Sequence, residues 1–390
     1  MKIQKIYIGA WFQRTSLHLS EVYDFLKNAS SPLELNSEQL KNFRNELMLQ
    51  SIEMKMGDLE FIEAITKKGI KIKIFEDGLM ILGKDFKMIK KDIDELRTYY
   101  EKKFSPALNY IFSLGAPIPK ELANIKNIYP YFVVLNKASG KNINILLEHF
   151  KQEKYFEIKT KHFEIHRGDK LYIINKLSEK DDSIEKFIQE QIFIREFKGQ
   201  MHRYLNLHRI IWEKIADIKE RGEIKGKEVG AFKARIESYG KTINLIETRI
   251  SQMGTYLHTR EAIIKKQNIL HNFNDVLEFK YETLADTLSY IQDLWTMTKN
   301  YVDSANKIFS DMEAGFTGKS VRDLTIITSM GVSATLINFL TAKSPQFTKS
   351  GLIFFLALIS VGYLSNRILK YVYGQRKYVI KDIEIDKNIG

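Results

Sequence analysis

Two uncharged apolar segments near the C-terminal end, Leu324–Ala342 and Ser350–Asn366, constrain this chain more than anything else in it. They are joined by Lys343–Lys349, which can turn the chain round but cannot form a domain. A bilayer core ~30 Å thick takes about 20 apolar residues as a helix, with roughly 17 as the minimum. The pattern therefore predicts a two-helix hairpin through a membrane. A buried hairpin of a globular domain fits less well, because Gly351–Tyr363 has no polar face.

Charge orients the hairpin. Lys319 and Arg322 precede the first segment, and Arg367, Lys370, Arg376, Lys377 and Lys381 follow the second; only Lys343 and Lys349 lie between. The positive-inside bias predicts a multi-pass protein of the cell membrane, with both termini cytoplasmic and the lipid bilayer as a partner. Met1–Gln13 has no long apolar core of the secretory kind. With no Cys, the chain has no thiol catalysis, no disulfide and no Cys-based zinc site. The net charge of +12 without a DNA- or RNA-binding motif points to anionic lipid or an anionic ligand rather than nucleic acid.

The N-terminal part reads as a duplication. Residues 2–13 predict a strand and 19–28 a helix; strands follow at 59–66, 69–76 and 79–83, with Asp77-Gly78 as a hairpin turn. A helix from about 86 to 104 and a short one from Ser105-Pro106 to Leu114 close the first copy. The order then recurs: strand Tyr131–Asn136, helix Ile143–Phe150, strands Tyr155–His166 and Lys170–Asn175 turning at Gly168-Asp169, and a helix opened by Asp182-Ser183. This predicts an α+β cytosolic domain over 1–180, built as a tandem β-α-β-β-α repeat.

Beyond it, 183–320 reads as coiled-coil stalk helices. From Val229 the apolar positions alternate three and four apart, through Phe232, Ile236, Tyr239, Ile243, Ile246, Ile250, Met253 and Leu257, then Arg260 and Ile264. A second run goes from Leu277 through Tyr281, Leu284, Leu288, Ile291, Trp295, Thr298, Val302, Ala305 and Phe309 to Met312. Residues 271–274 mark a bend between them. The second run leads straight into the first membrane segment, which suits identical helices gathered round an axis; it equally suits an intrachain hairpin with the first run. Gly315 and Gly318 weaken the helix at the membrane entry, each by roughly 1 kcal/mol against Ala, and are candidate hinges. The transmembrane hairpin occupies 324–366 and a basic tail 367–390.

Polar and small residues on the first span form one stripe, Thr328, Gly331, Thr335, Asn338 and Ala342, that lines a pore if it faces a shared axis. The same stripe serves helix packing. Leu324 and Val332 flank it as hydrophobic constrictions. Glu278, Glu282 and Asp286, four apart on a helix, make either a Mg²⁺ site between protomers or a solvated face. Gly318-Lys319-Ser320 is not a phosphate loop, because Glu313 stands where the first glycine belongs. His202 and His208 are six apart and point to different helix faces. No nucleophile–base pair emerges, so the chain is not expected to be an enzyme.

The string Leu324-Thr325-Ile326-Ile327-Thr328 resembles the segment that opens the pore helix of the CorA-type magnesium channel family, and Thr335 falls where that family often has a pore-facing threonine. The order of α/β domain, long helix and two C-terminal spans is similar over about 183–377. The likeness implies a homo-oligomer, most simply a pentamer, with the first span innermost. Thr341-Ala342-Lys343-Ser344 stands in place of the family's Tyr-Gly-Met-Asn motif, and the following loop is basic. Selective Mg²⁺ uptake is accordingly expected to be weak. The divergent CorA-like proteins found beside type III CRISPR systems imply a further role, an antiviral membrane effector switched by a nucleotide second messenger. The expectation is a ligand-gated CorA-like ion channel or effector; the alternatives are a divalent-cation transporter with altered selectivity and a non-conducting membrane-anchored scaffold.

Overall fold

The computed structural model describes every residue except 1, 14–17, 86–88, 115–129, 155, 161–162, 178–182, 220–222, 267–269, 342–348 and 380–390. The chain divides into two compact units, one of residues 1–206 with 245–293 and one of residues 207–244 with 294–390.

The first unit is organised by a nine-stranded sheet. Its strands are β1 (Lys2–Trp11), β2 (Leu49–Lys55), β3 (Phe61–Thr66), β4 (Ile70–Phe75), β5 (Leu79–Asp85), β6 (Tyr131–Asn136), β7 (Phe156–Lys159), β8 (Phe163–Arg167) and β9 (Leu171–Lys176). The spatial order is β2-β3-β4-β5-β1-β6-β9-β8-β7. β1 and β6 pair antiparallel at the centre, and in each half the chain crosses from that first strand to the sheet edge and winds back inward to it. The halves differ by one strand. Four strands, β2 to β5, follow β1, and β5 returns antiparallel to it; three, β7 to β9, follow β6, and β9 returns parallel to it. Consecutive strands alternate in direction within β2–β5 and within β7–β9, and each series opens aligned with its first strand, so the even count ends opposed to that strand and the odd count ends aligned with it.

The expected β-α-β-β-α repeat is therefore corrected. The first copy also contains α2 (Ser37–Glu46) and β2, after α1 (Leu19–Asn28). The second copy splits 155–166 into β7 and β8, joined where Thr160 N–H donates to Phe163 O at 2.9 Å. No Gly or Pro marks that turn. The hairpins at Asp77-Gly78 and Gly168-Asp169 do connect β4 to β5 and β8 to β9. Gly78 has φ 89, the positive value such a turn demands.

Strand alternation sorts side chains onto two faces. Ile6, Ile8 and Ala10 of β1, Tyr131 and Val133 of β6 and Leu171 and Ile173 of β9 share one core with α1, α2, α3 (Ile89–Tyr99), α4 (Ser105–Leu114) and α5 (Gly140–His149). α3 runs into α4 through a π-helical turn, Tyr100–Phe104. Pro106 has no N–H to give the α-helical ladder, which accounts for the wider turn there. The other face meets α6 (Ser183–Lys219): Trp11 lies 5.5 Å from both Phe193 and Phe197. β1 comes so close to α6 that a Cβ on Gly9 would sit 2.5 Å from Met80 O and 2.7 Å from Ile192 Cδ1.

The long helices α7 (Gly226–Lys266) and α8 (Leu270–Thr341) carry the two heptad runs. In the second unit they run antiparallel within the chain: Phe232 stacks on Phe309 at 6.2 Å, and Gly240 faces Val302. The helix continues through 271–274, where a bend is expected from the sequence. It also continues through Gly315 and Gly318. The second unit ends with α9 (Lys349–Gln375) and a two-stranded sheet of β10 (Glu223–Lys225) and β11 (Lys377–Val379).

The two transmembrane helices, and with them a multi-pass protein with both termini cytoplasmic, are overturned. Among the described residues no helix is long and apolar enough to cross a membrane. The physical reason is visible in the candidates. Residues 324–341 set the hydroxyls of Thr325, Thr328, Ser329, Ser333, Thr335 and Thr341 and the amide of Asn338 among the apolar side chains, and each such group costs free energy in hydrocarbon unless it is hydrogen-bonded. Ser350–Asn366 has the minimum length and spends it partly on Ser350, Ser360, Ser365 and Asn366.

Candidate functional site

A cleft of about 620 Å³ opens in the first unit, on the face of the sheet that α6 covers. Its origin is the strand register. Phe132 alternates with core residues of β6 and Tyr172 with those of β9, so both project toward α6, where they stack at 5.0 Å. Arg167, the last residue of β8, is paired with Tyr172, and its guanidinium carbon lies 5.3 Å over that ring. The Gly168-Asp169 turn follows immediately, so the cation stands at the sheet's end rather than within it.

α6 supplies Gln191, Arg195, Lys198 and His202 along the cleft, at spacings of four, three and four that keep them on one stripe. α8 supplies Lys280, Thr283 and Thr287. Arg195 is fixed from below: its Nη2 donates to Gly9 O at 2.8 Å and its Nε to Glu196 Oε1 at 2.9 Å. Lys280 Nζ donates to Gln191 Oε1 at 2.9 Å. That bond settles which end of the Gln191 amide is which, and it leaves Nε2 buried without a hydrogen-bond acceptor. Burial, and then the neighbouring Arg167, push the Lys280 ammonium down to about 8. Arg167, Arg195, Lys198 and Lys280 line the cleft with the exposed Asp169 as the one carboxylate in its lining, while Arg195 is also paired with Glu196 behind it. The hydroxyls of Thr283 and Thr287 donate to Phe279 O and Thr283 O, at 2.8 and 2.7 Å. Their protons are committed to the helix backbone.

Directly behind the cleft lies a buried polar clamp. Arg260 of α7 donates twice to Asp77, Nε to Oδ2 at 2.6 Å and Nη2 to Oδ1 at 3.0 Å, and its Nη1 donates to Glu190 Oε1 at 3.0 Å. Tyr281 Oη donates to Glu190 Oε2 at 2.5 Å. Phe75 and Phe193 stack near the guanidinium at 5.3 and 5.5 Å. Both Glu190 oxygens accept, as a carboxylate's do; burial pushes its pKa up, and the Arg260 charge pulls it back.

The residues singled out from the sequence lie elsewhere. Gly315 and Gly318 are exposed on α8, Gly331 is half-buried and Val332 exposed. The side chains of Leu324, Thr328, Thr335 and Asn338 lie outside the described residues, as does Ala342 altogether. Glu282 and Asp286 are exposed; the Glu278 side chain is outside the described set. No group of three His, Cys, Asp or Glu that could hold a metal ion occurs among the described residues. His202 borders the cleft, whereas His208, in the second unit, holds Thr298 Oγ1 at 2.7 Å. Sequence reasoning missed Gln191, Arg195, Lys198 and Lys280, which look like surface residues of long helices. Arg260 did leave a signal, since it occupies an apolar position of a heptad run.

No protein-family model matches the chain, and no curated protein matches it.

Proposed function

We propose that this protein is a ligand-responsive, self-associating effector whose α/β unit binds an anionic, nucleotide-type ligand in the cleft between the sheet, α6 and α8. The observation that carries the reading is the set of four cations and one buried, unpaired amide N–H around an aromatic floor. Phosphate oxygens are acceptors, and the cleft offers them donors: Gln191 Nε2 and the ammonium of Lys280, with guanidinium charge beside them. A base finds π-faces in Phe132 and Tyr172, and in Phe279, which stands 73% exposed at the rim. Binding rather than catalysis is favoured because the threonine hydroxyls are tied to backbone carbonyls.

Self-association is proposed through α9, where Ile353, Tyr363, Ile368 and Tyr371 are each more than 60% exposed. Apolar side chains exposed over the length of a helix mark an interaction surface. Native mass spectrometry of the full chain tests this; a monomer at micromolar concentration removes self-association from the proposal.

The ligand test is calorimetric titration of the full chain with ATP as the probe. The expected result is saturable, salt-sensitive binding that weakens at least tenfold, about 1.4 kcal/mol, in Lys280→Met. No saturable heat with ATP, or an unchanged affinity in Lys280→Met, overturns the proposal.

A further inference from the structure

The cleft and the clamp share a seam. On α6, Gln191 faces the cleft and its neighbour Glu190 belongs to the clamp. On α8, Lys280 faces the cleft and its neighbour Tyr281 belongs to the clamp. The same two helices are thus bridged by two adjacent side-chain pairs, Gln191–Lys280 at 2.9 Å and Glu190–Tyr281 at 2.5 Å. One pair lines the ligand cleft. The other is buried, with Glu190 2% and Tyr281 3% exposed.

Taking the anion-binding reading of the cleft as its basis, we propose that Glu190, Tyr281 and Arg260 are positioning residues of that site. Occupancy of the cleft is coupled through them to the β4–β5 turn. An anion taking the Lys280 ammonium competes with Gln191 for it and shifts α8 against α6 at that pair. The next pair along the same helices cannot stay as it is, because the oxygens of Glu190 are both committed, one to Tyr281 and one to Arg260. Arg260 in turn holds Asp77 with two bonds, and Asp77 O accepts from Trp11 Nε1 at 2.8 Å. Asp77 Oδ1 also accepts from Leu79 N–H at 3.1 Å, so the carboxylate sets the turn's own geometry. Each contact in this chain is buried, and packed polar networks of this kind rearrange between discrete states rather than stretch. Coupling between two sites is reciprocal, so a change in the clamp must alter affinity in the cleft by the same factor as the cleft alters the clamp.

Trp11 gives the clamp a spectroscopic handle, since its indole N–H bonds the turn it reports on. The experiment is fluorine NMR of the full chain carrying fluorotryptophan, with ATP as the probe, beside calorimetry on the same samples. The expected result is a Trp11 resonance that moves on ATP saturation in the wild type. In Tyr281→Phe, a substitution outside the cleft lining, the movement falls by at least half and the ATP affinity changes three- to tenfold. Lys280→Met, titrated identically, is expected to lose the movement together with the binding. ATP binding with a stationary Trp11 resonance, or a Tyr281→Phe protein matching wild type in both readouts, overturns the coupling and leaves the binding site standing. Absence of ATP binding in the wild type overturns both.

Discussion

The packing of α7 in the two units differs in kind. In the second unit it is apolar: Val229, Phe232, Ile236 and Ile243 are buried, Phe232 meets Phe309 and Gly240 faces Val302. One ion pair, Lys233 Nζ to Glu313 Oε2 at 2.7 Å, lies at its margin. In the first unit the same helix buries Arg260, held by Asp77 and Glu190, with Tyr281 of α8 bonded to the latter. Apolar contact tolerates small slides, because neighbouring positions offer nearly equal burial. A buried guanidinium with three committed bonds does not, because any other register leaves a charge unpaired. The polar region therefore specifies one arrangement, and it adjoins the cleft where arrangement matters.

Breaking the polar side should have the largest effect. Arg260→Met leaves the Asp77 and Glu190 carboxylates buried without their cation and should cost about 3–5 kcal/mol, read from urea unfolding of the full chain. Adding Asp77→Asn and Glu190→Gln should recover a large part, since the penalty comes from unpaired charge. A loss below about 1 kcal/mol for Arg260→Met would equate the two regions.

The cleft gives a pH dependence of intermediate size. Lys280 titrates near 8 in the folded protein against 10.5 unfolded. Between those values the unfolded chain holds more protons, so stability of the unliganded protein should rise with pH across that window. Binding of ATP needs the charged ammonium and should weaken as pH climbs through about 8. Calorimetry in buffers of different ionisation enthalpy should show proton uptake on binding near that pH, and none in Lys280→Met.

On the apolar side Ile243→Val, at a fully buried position, should cost about 0.5–1.5 kcal/mol without altering ATP affinity. Smallest of all, Lys233→Ala removes a part-exposed, solvent-screened pair and should shift the urea midpoint least of these variants, an effect that shrinks further in high salt. A larger loss there would mean that the second unit, too, depends on charge.

Much of the first unit is legible in the sequence. Asp77-Gly78 and Gly168-Asp169 announce hairpins because a glycine or a short polar residue meets the backbone demand of a tight turn locally. The three-four spacing of α7 and α8 declares two helices with one apolar stripe each. The link between β7 and β8 carries neither glycine nor proline and is invisible in the sequence, as are α2 and β2. Length and lack of charge in the C-terminal segments predict a membrane hairpin, yet among the described residues no helix is long and apolar enough to cross a membrane.

What the chain determined by itself is thus local: turns, helix periodicity, the missing thiols, the excess of positive charge. The tertiary structure alone decided which partner each helix found, how strand parity set the sense of β5 and β9, and that Arg167, Gln191 and Lys280, dispersed over more than a hundred residues, meet round one cleft. Local signals follow from backbone conformation and side-chain period, which neighbouring residues fix. A site assembled from β8, α6 and α8 depends on burial and register across the fold, and no stretch of sequence contains either.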